Sequence, residues 1–82
     1  MTPHDERDAA NDPRPGDVWE RGDERRTVRK VVRGAPGHVV SVMYDYATRQ
    51  GTGWGHRGTY VMLGANFRVG VSTMRLVVRG EP

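Results

Sequence analysis

The chain contains no cysteine. That absence removes disulfide staples, thiolate zinc sites and cysteine nucleophiles together, and leaves packing as the source of stability. Apolar residues are also scarce, at 35% of 82 positions with a mean hydropathy of −0.73. So short and polar a chain supports one small core and argues against a large enzyme cleft. No apolar run approaches the roughly eighteen residues of a membrane span, and the first thirty positions are acidic, polar and proline-containing, so no secretory signal is placed either. A soluble cytoplasmic protein without membrane contact is expected.

Catalytic constellations are missing as well. His4, His38 and His56 are scattered, which makes a three-ligand metal site a geometric accident. Ser41 and Ser72 have no adjacent base. Asp45, between Tyr44 and Tyr46, could meet His56 across a hairpin, but a carboxylate and an imidazole without a nucleophile are more often structural. The expectation is a non-enzyme with no metal and no cofactor.

What the chain does have is an uneven charge. Residues 1–13 hold Asp5, Glu6, Asp8 and Asp12 against Arg7, a net −3, while residues 14–82 hold twelve basic groups against six acidic ones, a net +6. Twelve of the thirteen basic residues are arginine, Lys30 being the exception. A basic body of this kind attracts polyanions or acidic protein surfaces. The segment "MTPHDERDAANDPRP" lacks an apolar period and ends in Pro13 and Pro15, so residues 1–13 read as a disordered acidic arm.

From residue 14 the pattern becomes short β-branched runs separated by glycine, the mark of an all-β domain. "GDVWE" opens it, with Trp19 as packing, and Gly22-Asp23 supply a tight turn. "RRTVRKVVRG" follows, then "APG" as a reversal, then "HVVSVMYDY" with Val40, Val42, Tyr44 and Tyr46 on one face. "TYVML", "NFRVGV" and "MRLVVR" complete five to six short antiparallel strands. No window shows a convincing helical period, and strands this short are expected to close into a barrel.

The segments "PRPGDVWE", "RTVRKVV", "GHVVSVMY" and "STMRLVVRG" together resemble small SH3-like barrels of the Tudor and KOW type, found in short bacterial and phage-encoded proteins. The resemblance spans roughly residues 14–80 and rests on strand spacing and turn chemistry. It implies a binding module in preference to a catalyst. The stretch "RQGTGWGHRGTY" at 49–60 departs from it as a long, glycine-rich loop.

That stretch does not read as a phosphate cradle. A nucleotide-binding glycine motif needs a strand before it and a helix after it, and here a strand follows. It reads instead either as a loop in which Trp54, flanked by Arg49, His56 and Arg57, stacks on bases or on a partner, or as one in which Trp54 folds back over the barrel. On the strands, Arg29 and Arg33 flank Val31, Arg75 and Arg79 flank Val77, and Arg68 lies between Phe67 and Val69. If the second and last strands approach, these five form one basic stripe; otherwise they solubilise exposed strand positions. Besides a structural subunit that pairs two copies through exposed strand edges and Val77, two functions follow. One is a nucleic-acid-associated module, and the other is a phage or mobile-element interaction factor, an inhibitor or adaptor that docks on an acidic or nucleic-acid-binding surface of a host protein. A monomer or weak homodimer is expected in either case.

Overall fold

Alternation of β-branched residues with arginine, cut by glycine turns, produces five antiparallel strands in one sheet. They are β1 (Val18–Arg21), β2 (Glu24–Arg33), β3 (Val39–Gln50), β4 (Gly53–Leu63) and β5 (Arg75–Val78), and two short helices, α1 (Pro3–Asn11) and α2 (Gly64–Val71), accompany them. The computed structural model describes residues 2–82. Strand order is β4-β3-β2-β1-β5, so β1 to β4 form a meander and α2 carries the chain to the far edge, where β5 pairs with β1.

The expected turns form at Gly22-Asp23, where Arg21 pairs with Glu24, and between β2 and β3. Three other expectations are corrected. The sheet is not a closed barrel: β4 and β5 remain its two edges, and the helices cover apolar surface that closure would have buried. "NFRVGV" is not a strand but most of α2, because Phe67 and Val71, one helical turn apart, both reach the core and override the weak propensity of Gly64, Val69 and Gly70. The stretch 49–60 is not a loop. It is the tip and arms of the β3–β4 hairpin, in which Gln50 pairs with Gly53 across two residues. Gly51 has φ +63° and Thr52 does not share its positive φ, as a type II′ turn requires.

The disordered arm is corrected too. Residues 3–11 are helical, with Thr2 as N-cap, Pro3 in the first turn, and reciprocal capping in which Asp5 N–H donates to Thr2 Oγ1 (3.2 Å) and Thr2 N–H donates to Asp5 Oδ2 (3.2 Å). The hydrogen bonds from Thr2 hold the Asp5 carboxyl below its ordinary pKa. A nine-residue helix of this composition is marginal alone; against the domain it buries Ala9, and Pro13 is buried just beyond its end. Met1 lies outside the described residues.

One face of the sheet and both helices share a core of Ala9, Trp19, Val28, Val42, Tyr44, Phe67, Val71, Met74 and Leu76. Beside it sits one buried carboxylate, Asp17, fully excluded from solvent. Asp17 Oδ2 accepts from Arg14 N–H (2.9 Å) and Arg79 Nη1 (2.6 Å), and Oδ1 accepts from Gly80 N–H (2.6 Å). The start and end of the sheet are thereby tied together.

Candidate functional site

Strand alternation decides which side chains can meet a partner. With Trp19, Val28, Val42 and Tyr44 facing the core, their neighbours face the opposite side of the sheet, and register aligns them in rows: Arg25 beside Ala47, Arg49 beside Trp54, Asp45 beside Thr59, Met43 between Lys30 and Val61, and Ser41 between Val32 and Leu63. None of these outward residues is buried. The face is therefore uncovered along the long strands β2, β3 and β4.

At the hairpin end of this face Trp54 is half-buried, and the guanidinium carbons of Arg25 and Arg49 each lie 4.5 Å from its ring centroid. Attraction between cation and ring face fixes the indole in place. Arg25 is also paired with Glu20, and Arg49 Nε lies 3.3 Å from Asp23. Further along, Asp45 accepts from Thr59 Oγ1 (2.6 Å) and stands 3.5 Å from Arg29 Nη1 and 3.7 Å from His56 Nε2. Arg57 is the extra residue where the β3–β4 register shifts, and its Nε donates to Thr48 Oγ1 (2.7 Å). Of the sequence-derived candidates, Arg29, Arg49, Trp54 and His56 share the uncovered face, while Arg57 reaches Thr48, which is in phase with Tyr44 and Tyr46 on the other side of the sheet.

The other four gather elsewhere, around α1. Arg75 Nε donates to Glu6 Oε2 (2.9 Å), Arg33 pairs with Asp12, and Arg79 reaches the Asp12 carbonyl (2.9 Å) as well as Asp17. Arg68 Nη1 lies 3.4 Å from Asn11 Oδ1. Arg29 is paired with Asp45 instead, apart from the four that gather around α1. Among the described residues no cluster of three or more His, Cys, Asp or Glu is placed to hold a metal, and no helix is long and apolar enough to cross a membrane.

Sequence reasoning missed two groups. Arg25 contacts Trp54 only because the β2–β3 register places it one strand from the hairpin tip. On the core side, Glu24, Arg26, Tyr44, Tyr46 and Tyr60 line a cleft of about 230 Å³. Arg26 stands 5.2 Å over the Tyr44 ring, and Tyr46 OH donates to Glu24 Oε1 (2.7 Å). That hydrogen bond, helped by Arg21, holds the Glu24 carboxyl below its ordinary pKa and pushes the Tyr46 phenol above its own. A tight turn at Gly51-Thr52 alone would align Tyr44 with Thr59; the extra residue Arg57 shifts the register by one and brings Tyr60 opposite Tyr44, and nothing in the sequence signals that shift. No protein-family model, curated protein or solved structure matches the chain.

Proposed function

We propose that this chain is a non-catalytic binding module, SH3-like in its meander, return helix and β1–β5 pairing, that holds single-stranded nucleic acid across the uncovered face of its sheet. The observation that carries this reading is the Trp54 indole, part-exposed and flanked by Arg25 and Arg49 at 4.5 Å. An aromatic ring already fixed by cations gives a base a stacking surface that needs little further ordering, and it sits in positive potential where phosphates must lie. Exposed Arg29 and Lys30 extend that potential along the strands. Stacking of this kind contributes about 1–3 kcal/mol per base, so Trp54→Ala should weaken binding of a short oligothymidylate by roughly 5- to 150-fold, while Trp54→Phe retains part of it. An unchanged mobility shift at low salt for Trp54→Ala refutes the reading.

A second reading keeps the module and changes the partner. Val61 and Leu63, each 62% exposed, and Val32 at 43% give the far end of the same face an apolar row, which suits an acidic protein surface with an apolar centre. Recovery of one stoichiometric host protein on immobilised chain, lost in Val61→Asp and retained in Trp54→Ala, would favour it.

A further inference from the structure

Helix α1 is an acidic element laid on arginines. Glu6 Oε2 accepts from Arg75 Nε and also from the backbone N–H of Leu76 (2.9 Å), a donor on the edge strand β5. Asp12 pairs with Arg33 and approaches Arg79 Nη2 (3.9 Å), and Asn11 faces Arg68. The apolar hold on α1 is slight by comparison, since Ala9 and Ala10 contribute one methyl each to the core. A cavity of about 340 Å³ remains between α1 and α2, reaching Trp19, Val71 and Met74. Charge complementarity, more than packing, seats this helix.

We propose that the arginines around α1, Arg33, Arg68 and Arg75, form a second polyanion-binding site, whose pairing α1 and its C-cap take up as an internal stand-in for a phosphate backbone. This inference rests on the reading of the chain as a nucleic-acid-binding module but uses a different surface from Trp54. Carboxylates at Glu6 and Asp12 take the positions that phosphate oxygens would take, so strand and helix exclude one another. When α1 lifts, three guanidinium groups and the Leu76 amide become available to an anionic chain. At the ionic strength where α1 is seated, the module then binds through Trp54 alone.

The test uses the full chain with Glu6→Gln and Asp12→Asn together, compared with Asp8→Asn and Glu81→Gln. The second pair changes net charge equally but leaves the ridge contacts in place. The probe is a single-stranded oligodeoxynucleotide titrated over a range of salt. Glu6→Gln/Asp12→Asn should bind at least tenfold more tightly than the control pair, with the logarithmic salt slope steeper by about 2, as three added phosphate contacts predict for single strands. Equal affinities for the two pairs overturn the inference. Amide exchange keeps folding in view: Leu76 N–H should exchange faster in Glu6→Gln/Asp12→Asn while Val42 stays protected, and an unchanged Leu76 rate also overturns it. Both pairs are repeated on Trp54→Ala. Tightening that survives there supports the ridge even if the sheet face fails, and its absence there counts against the ridge while leaving Trp54 untouched.

Discussion

Asp17→Ala should be among the most damaging single changes in this protein. The carboxylate is fully buried and accepts three hydrogen bonds, two from backbone N–H groups of Arg14 and Gly80 and one from Arg79. Truncation leaves those donors without their acceptor, and breaking a buried ion pair from one side costs about 3–5 kcal/mol. Arg79 retains 20% side-chain exposure and the Asp12 carbonyl, which places the loss near the lower end, about 3–4 kcal/mol. Against a total of about 4–12 kcal/mol for a chain of this length, that is a quarter or more of the stability, and a Tm lower by roughly 15–30 °C. Urea denaturation followed by Trp fluorescence measures it directly. Asp17→Asn should recover little, because its amide nitrogen presents a donor to groups that already donate. Arg79→Met in the Asp17→Ala background should cost less than in the parent chain, since the cation has lost its partner there. A loss below about 1 kcal/mol for Asp17→Ala, or strict additivity of the two substitutions, would refute the view that this carboxylate ties the two ends of the sheet.

Three further outcomes are expected. Glu6 is held below the ordinary glutamate value of 4.5 chiefly by the Leu76 amide and then by Arg75, and Glu24 by Tyr46 and Arg21, so the unfolded chain binds more protons between 4.5 and the folded values. Stability should fall as pH drops through that window, with a shallower slope in Glu6→Gln. Tyr46 has the opposite sign: its folded pKa is raised above 10.0 by the bond to Glu24, so that contribution is intact below 10.0 and is lost as pH rises through the folded value. Tyr46→Phe should flatten the alkaline limb of a pH–stability profile. Phe67→Ala, at a fully buried position, should cost about 3–5 kcal/mol and release α2, read as fast amide exchange from Asn66 to Val71; retained protection there would show that α2 does not depend on its core contact.

The strands were legible where one face is wet and the other dry. The first part of β3 alternates because Val42 and Tyr44 must enter the core while Met43 and Asp45 need not, and Gly22 announces its turn by chemistry that any two-residue hairpin shares; in β2 the extra residue Arg29 breaks the alternation, so Lys30 and Val32, in phase with Val28 along the sequence, face the other side. α2 was illegible for the complementary reason. Nothing local favours helix in "GANFRVGV", and what makes it one is the distant floor that Phe67 and Val71 meet. α1 is an intermediate case: Thr2, Pro3 and Asp5 carry a capping signal on the page, but its hold on the domain comes from Arg75 and Arg33, far away in sequence. The candidate site divides similarly. Arg49 and Trp54 become neighbours from the hairpin alone, whereas Arg25 beside Trp54, and the parting of Arg29 from Arg33, require the register of β2.

The bond from Gly80 N–H to Asp17 bears on how this domain can be rewired. Gly16 turns with φ +94°, and a methyl group there would lie 3.4 Å from the Gly80 Cα, so the first and last residues of the sheet are practically one point in space. A short peptide could bridge them, with new termini opened at the Gly51-Thr52 hairpin tip, leaving every strand neighbour unchanged. The same proximity lets the sheet and α2, without α1, be spliced into a surface loop of another protein, since host backbone would leave and return through a single gap.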